Sequence, residues 1–294
     1  MVAIRAHSLL DASSLIDYVR HYLAFIERCQ RPDGRFRNFM AGNGAWLEEL
    51  GSGDSHGRAV WALGFACERT RQTEVRLRAL RCLDGALPHL GELPALRSKA
   101  FALLGLRRWS RVEPSKKLAE LEERFISELA SAFRAQAAPD WRWFEDRVTY
   151  SNSRLPEALI GTAESPIGLE SLAWLCRQME AGGVMSLIGS QGFYPRGGHR
   201  AVYDQQAVCA AATVSACLAA AADSGDARFR RWAEMAFGWF TGANVGGRSM
   251  IDQETGGCYD GLCEDGVNLN QGAESLLAWL LAQEDMMEAG LIPV

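Results

Sequence analysis

The chain contains 294 residues, of which 48% are hydrophobic and 23% charged, and this composition excludes a wholly disordered protein. Its formal net charge of -5 argues against a nucleic-acid-binding protein that works through bulk positive charge. No apolar run reaches the roughly 18 residues that a membrane-spanning helix needs, so no membrane contact is expected. The cysteines lie mostly within apolar helical runs, which is typical of reduced, buried thiols in a cytoplasmic protein and not of a disulfide framework.

Hydrophobic periodicity predicts helix along nearly the whole chain, and no segment shows the alternation of β-branched residues that a sheet requires. Ten helices are predicted, at 11–30, 54–69, 73–87, 95–109, 115–136, 152–163, 166–181, 204–223, 226–241 and 270–288. We expect them to form one all-α domain over residues 1–294.

The predicted helices alternate between two kinds. Five are rich in Ala, Gly and Leu and are expected to be buried, namely 54–69, 95–109, 152–163, 204–223 and 270–288. The other five carry an Arg- or Glu-rich face and are expected to be half exposed. This alternation indicates an α/α toroid of about five helical hairpins, an incomplete (α/α)6 barrel, in which an outer ring of helices wraps an inner ring. The alternative is an α-solenoid, which the uneven hairpin lengths and the absence of repeat signatures disfavour.

Most loops that lead into an inner helix are long and rich in glycine and aromatic residues. They occupy 31–53, 138–151, 182–203 and 242–269. In a toroid these loops would share one face, where a rigid scaffold can hold a site. Each mixes aromatic rings with carboxylates, amides and arginines. A sugar needs this mixture, because its C–H faces stack on rings while its hydroxyl groups need hydrogen-bond partners. The loops therefore predict oligosaccharide binding.

Three carboxylates are candidate catalytic groups. Glu145 would be the acid, because neighbouring aromatic rings would desolvate it and raise its pKa. Asp54 or Asp204 would be the base, at the separation of about 6.5–9.5 Å that an inverting glycoside hydrolase requires. The alternative for both aspartates is helix capping, with Ser52 and Ser55 as further candidate caps beside Asp54. For Glu145 the alternative is a surface carboxylate next to aromatic residues that pack the loop.

The remaining candidate residues would hold the sugar. The predicted stacking platforms are Trp141, Trp143, Tyr194 and Tyr259. The predicted hydroxyl contacts are Arg58, Asn152, Gln205 and Asn268. Further candidate contacts in the same loops are Tyr150, Arg196, Asp260 and Glu274, with Asn270 as a candidate helix cap. No metal-ligand spacing or cofactor motif stands out, so we expect neither a metal nor a cofactor.

Several of these segments resemble a bacterial family of α/α-toroid proteins over about residues 15–285. The similar segments begin at Pro32 (PDGRFRNFM), Asp54 (DSHGRAVWALG), Trp141 (WRWFE), Tyr150 (YSNSRLPEAL), Tyr194 (YPRGG), Asp204 (DQQ), Gly256 (GGCYDG) and Asn268 (NLNQGAES). Members of that family are commonly described as glycosyltransferases, and occur fused to or encoded near true glycosyltransferases and mannoside phosphorylases of glycoside-hydrolase family 130. Their toroid is similar to that of six-hairpin glycosidases, which are mostly inverting enzymes with two carboxylates.

The chain departs from this family in two ways. Family members carry an earlier hairpin with a Thr-Asp-Asn-rich segment that this sequence lacks, and they tend to have Pro and Glu shortly after Asp-Gln-Gln, where this chain has Ala207 and Cys209. The resemblance therefore implies either a shortened version, which need not be active, or a gap that a second subunit fills. Apolar flanks of inner helices left open would favour a homo-oligomer.

The sequence thus predicts a cytoplasmic carbohydrate-active protein that binds a mannose- or glucose-based oligosaccharide, with inverting glycoside hydrolysis as the expected reaction if it is an enzyme. One alternative is a non-catalytic sugar-binding or scaffold partner of a glycosyltransferase or phosphorylase. Another is a sugar epimerase. Epimerases on this fold usually place two histidines in the pocket, and only His56 and His199 lie in suitable loops.

Overall fold

The computed structural model describes residues 1–294, which form two compact units, Met1–Glu128 and Leu129–Val294. The helices that begin in the first unit are α1 (Val2–Leu9), α2 (Leu15–Cys29), α3 (Gly53–Arg69), α4 (Thr73–Leu90), α5 (Leu96–Val112) and α6 (Lys116–Gln136). The sequence did not predict α1, because this short helix has neither a side-chain cap nor an acid in its first turn. Buried Ile4 anchors α1, which packs on α2 and α3.

Helices α3 and α5 approach each other through glycines. A β-carbon added at Gly57 would lie 2.4 Å from the main-chain oxygen of Ser98, and one at Gly64 would lie 2.2 Å from that of Gly105. No larger residue fits this contact without moving one backbone away from the other. Both helices belong to the Ala- and Gly-rich kind, so this close packing explains their composition.

The second unit contains α7 (Arg154–Leu159), α8 (Ser165–Met179), α9 (Ala207–Ser224), α10 (Ala227–Gly238), a short 3-10 helix (Trp239–Thr241) and α11 (Ala273–Glu288). Helix α9 contacts α7, α8, α10 and α11, as its uniformly apolar sequence predicts. By length and hydropathy α9 could cross a membrane, so the expectation that no run is long enough was wrong. In this structure 56% of α9 is buried, and it packs as a core helix.

Seven short strands lie in the loops of the second unit, where the sequence predicted no sheet. They are β1 (Arg147–Val148), β2 (Glu180–Ala181), β3 (Val184–Met185), β4 (Tyr194–Pro195), β5 (Gln205–Gln206), β6 (Gly261–Cys263) and β7 (Gly266–Asn268). They pair antiparallel as β1–β4, β2–β3 and β5–β6–β7. Strands of two or three residues are too short to show an alternating pattern, and the chain remains all-α in class.

Most predicted helices were placed within a few residues of their observed bounds, and the largest differences lie where loops enter helices. The helix predicted at 204–223 begins at Ala207, because Gln205 and Gln206 pair in the sheet. The helix predicted at 152–163 is only the six-residue α7. All eight cysteines are free, and seven of them are buried, as their positions in apolar helical runs predicted.

An apolar flank is exposed on α11, where Leu276 and Leu277 face solvent. Exposure of this kind was expected for an inner helix. The homo-oligomer inferred from it stays a prediction.

Candidate functional site

The β5–β6–β7 sheet sorts the candidate residues of the second unit onto two faces. Gln205 pairs with Leu262, while Gln206 pairs with Gly261, which in turn pairs with Asn268. Gln205 and Leu262 are fully buried. Because alternate residues of a strand point to opposite faces, Gln206 and Asn268 share the outer face.

Gln205, predicted as a hydroxyl contact, is directed inward in this structure and away from the outer face. Its side-chain oxygen accepts hydrogen bonds from the main-chain amide of Leu187 at 3.0 Å and from Nε1 of Trp239 at 2.8 Å. Its side-chain nitrogen donates to the main-chain oxygen of Val202 at 2.9 Å. All these hydrogen bonds of the Gln205 side-chain amide are therefore made within the protein, where they connect Leu187, Val202 and Trp239.

Asp204 immediately precedes β5 and lies beside Cys263 of β6. Burial, together with the Asp204 carboxylate, raises the pKa of the Cys263 thiol. Oδ2 of Asp204 accepts a hydrogen bond from Nε2 of Gln191 at 3.1 Å, whereas Oδ1 is buried without a nitrogen or oxygen donor. Asp204 as a whole is only half-buried, so its carboxylate keeps contact with solvent although one of its oxygens lacks a nitrogen or oxygen donor.

Asp260 has a structural task at the start of α11. It accepts hydrogen bonds from the main-chain amide of Gly272 at 2.8 Å, from Oγ of Ser275 at 2.7 Å and from the side-chain amide of Asn270. Although burial opposes the shift, the hydrogen bonds from Ser275, Asn270 and Gly272 lower the pKa of Asp260. Asn270 is not the helix cap, since the N-cap residue is Gly272.

Two further candidates near α11 remain accessible. Tyr259 is half-buried next to Asp260, and Glu274 is exposed in the first turn of α11.

The predicted stacking platforms Trp141 and Trp143 are buried, so neither offers its ring to a ligand. Trp141 packs edge-on against Trp174 at a centroid distance of 5.0 Å, and Trp143 stacks on Trp174 at 6.0 Å. Tyr194 stacks parallel to the Trp174 ring at 6.3 Å and is half-buried. The aromatic residues pack the loop from inside, which was the alternative considered for this cluster.

Of the other loop candidates, Asn152 was predicted as a hydroxyl contact, but its side chain is engaged within its own loop. Asn152 is buried. Its side-chain oxygen accepts a hydrogen bond from the main-chain amide of Thr149 at 2.8 Å, and its side-chain nitrogen donates one to the main-chain oxygen of Thr149 at 2.9 Å.

Glu145 is half-buried, and its main-chain oxygen accepts a hydrogen bond from Nε1 of Trp141 at 2.8 Å. Tyr150 is half-buried, and exposed Arg196 donates to the main-chain oxygen of Gln136 at 3.1 Å.

In the first unit, Asp54 does not cap α3. Ser52 is the cap, since its hydroxyl accepts from the amide of Ser55 at 3.1 Å. Asp54 instead accepts a hydrogen bond from Oγ of Ser98 on α5 at 2.7 Å.

Arg58 lies one turn further along α3 than Asp54, and its guanidinium is 4.4 Å from the ring centroid of Phe101. Asp54 and Arg58 are both half-buried.

The two loop histidines differ in accessibility. His56 is buried against Phe36 at a ring distance of 5.2 Å. Burial, reinforced by the nearby cationic side chains, lowers the pKa of His56 to about 4, so its ring is neutral near pH 7. His199 is exposed. Only one of the two histidines can therefore reach a substrate.

Two residues of the outer face were missed from the sequence. Gln191 holds the Asp204 carboxylate, and Cys263 lies beside it. Nothing local marks either residue, because both reach Asp204 only through the pairing of distant loops.

No protein-family model matches the sequence, and no curated protein matches it. Several solved structures share its fold. A sugar epimerase from a ruminal bacterium is similar with a TM-score of 0.74 and 13% identity, over 100% of this chain and 86% of that one. The cellobiose 2-epimerase of Bacillus thermoamylovorans gives a TM-score of 0.73 at 11% identity, over 99% of this chain and 85% of that one.

A GH76 α-mannanase of Bacteroides thetaiotaomicron is also similar, with a TM-score of 0.61 at 9% identity, over 99% of this chain and 85% of that one. At these identities the likeness shows the fold. The chain has the α/α-toroid fold, as the sequence predicted, and the α-solenoid alternative is wrong.

Proposed function

We propose that this protein is carbohydrate-active and binds a mannose- or glucose-based oligosaccharide on the outer face of the β5–β6–β7 sheet and its adjoining loops. The observation that carries the proposal is the environment of Asp204. One of its carboxylate oxygens accepts a hydrogen bond from Gln191, the other is shielded without a nitrogen or oxygen donor, and the carboxylate hydrogen-bonds the Cys263 thiol. The likeness in fold to proteins named for sugar substrates supports the same substrate class.

Hydrolysis is the first candidate reaction. Asp204 would take a proton from a water molecule that attacks the anomeric carbon, and Glu145 would donate a proton to the departing glycosidic oxygen. Half-buried Glu145 retains access to solvent, as a residue that must be reprotonated after each turnover requires. The buried Trp141 and Trp143 would shape the floor of the loop and would not touch the sugar.

Epimerisation is the second candidate reaction, and the similarity to two sugar epimerases favours it. The burial of His56 argues against chemistry by a histidine pair. In an epimerase of this form, Asp204 would remove the proton from the carbon next to the carbonyl, and a second group would return it on the opposite face.

A third candidate is a non-catalytic role beside a glycosyltransferase. The resemblance of the loop segments to glycosyltransferase-associated proteins supports it. In that case the same face would bind sugar without turning it over.

One assay separates the three candidates. The protein is incubated with manno- and gluco-oligosaccharides in D2O, and the products are analysed by mass spectrometry and NMR. Hydrolysis shortens the chains, epimerisation keeps their length and places deuterium at carbon 2, and a binding protein changes neither.

The decisive variant is Asp204→Asn, with Glu264→Gln at the exposed β6–β7 turn as the control. We expect Asp204→Asn to lower turnover at least about a hundredfold while binding persists, because it removes a general base. Glu264→Gln should behave as the unchanged protein does. Absence of any sugar binding by the unchanged protein would refute the proposal.

A further inference from the structure

The outward face of α2 carries a stripe of aromatic side chains that remain exposed. Tyr18 is 57% exposed, Tyr22 59% and Phe25 44%. Their spacing of four and three residues places them on one side of the helix, while buried Val19 and Leu23 occupy the other. Large apolar side chains exposed in a continuous stripe mark an interaction surface.

Opposite charges lie at the two ends of this stripe. Asp17 stands in the first turn of α2 with a side chain that is 79% exposed, and exposed Arg28 stands in the last turn. The two residues are about three helical turns apart, so they lie along the same flank of the helix. Asp17 also pairs with Arg20 at 2.9 Å, and Arg20 bonds Glu74 as well, so the Arg20 charge is shared between two carboxylates.

This order of charges makes the face complementary to itself. When two copies of α2 meet antiparallel across a twofold axis, Asp17 of each copy lies opposite Arg28 of the other. The same axis brings Tyr22 against Tyr22 and Tyr18 close to Phe25. A partner of unrelated sequence would need an apolar stripe and two charges in the same arrangement. A second copy of this chain already has both features.

A neighbouring loop extends the surface. The Arg28 guanidinium donates to the main-chain oxygen of Gly44 at 3.1 Å, which places the loop beside the end of α2. Within this loop the amide of Leu47 donates to the oxygen of Phe39 at 3.0 Å, and both side chains are exposed. These residues add exposed apolar side chains to the helix face, and a stable interface buries roughly 1,200 Å² or more.

We propose that a second copy of this chain docks on the α2 face, with the two α2 helices antiparallel and Tyr22 at the centre. The interface is small, so the dimer should dissociate in the micromolar range. This association does not depend on the proposed sugar site, and its test does not use activity.

Analytical ultracentrifugation of the full chain tests the proposal, over a range of about 1 to 200 µM protein. We expect a reversible monomer–dimer equilibrium whose Kd rises at least about tenfold in Tyr22→Glu, because the charge would be buried at the centre of the contact. Val294→Glu, a change at an exposed apolar residue outside the face, is the matched control and should leave the Kd unchanged.

A charge exchange tests the antiparallel geometry. Asp17→Arg and Arg28→Asp should each weaken the dimer, since each places like charges opposite one another, and the double variant should regain most of the affinity. Thermal unfolding verifies that each variant is folded. A protein that stays monomeric throughout, a Kd insensitive to Tyr22→Glu, or a double variant without recovery would each overturn the proposal.

Discussion

Nε1 of Trp239 donates a 2.8 Å hydrogen bond to the side-chain oxygen of Gln205, and both residues are fully buried. The contact fixes which side of β5 faces inward. With Gln205 held inside, Gln206 is turned to the outer face, where Asn268 also lies. The orientation of the candidate site thus depends on one buried amide.

The replacement Gln205→Met tests this dependence. It keeps the volume but leaves the Trp239 indole and the Leu187 amide without an acceptor, so we expect a loss of about 2–4 kcal/mol in the free energy of unfolding. Urea denaturation measures it. The neighbouring change Gln206→Met should cost less than about 0.5 kcal/mol, because Gln206 is not part of this network. Equal effects of the two changes would contradict this account of the loop.

The glycine contact between α3 and α5 leads to a second prediction. In Gly64→Ala the new methyl group would clash with the backbone of Gly105, so we expect the free energy of unfolding to fall by at least about 1–3 kcal/mol. Gly42→Ala is the control, because a β-carbon there has no neighbour within 4 Å. If chemical denaturation gives the same midpoint for both variants, the helices do not pack through these glycines.

His56 makes stability depend on pH. Its pKa is lowered from 6.5 to about 4 by burial, so between these values the unfolded chain binds a proton that the folded chain does not. The free energy of unfolding should therefore fall as the pH drops from about 6.5 towards 4, by about 2 kcal/mol at pH 5. In His56→Gln this part of the pH dependence should vanish, whereas exposed His199→Gln should retain it. Denaturation curves at pH 7, 6 and 5 provide the comparison.

The helices were predictable because their signal extends over several turns. The apolar sequence of Ala207–Ser224 predicted a helix that is buried on all sides, and the alternation of apolar and charged helices pointed to the toroid. Such patterns are repeated along the chain, so an error at one residue does not change the conclusion.

The candidate site was only partly predictable, because short strands carry no such repetition. Asp204 and Gln205 are neighbours in the sequence, yet only pairing with distant β6 decides that Gln205 points inward. Trp141 and Trp143 were expected at the rim because they lie in a loop. Their burial depends on Trp174, which comes from α8.

Asn268 provides the most direct test that a sugar occupies the outer face of the β5–β6–β7 sheet. Its exposed side chain makes one hydrogen bond, accepted from the main-chain amide of Asn270 at 3.1 Å, so replacement by Ala should remove a ligand contact at only a small cost to the fold. Isothermal titration with manno- and gluco-oligosaccharides compares Asn268→Ala with the Glu264→Gln control. We predict about tenfold weaker binding for Asn268→Ala alone, which corresponds to the loss of one hydrogen bond. Equal affinity of the two variants for every sugar that the unchanged protein binds would contradict the assignment of this face.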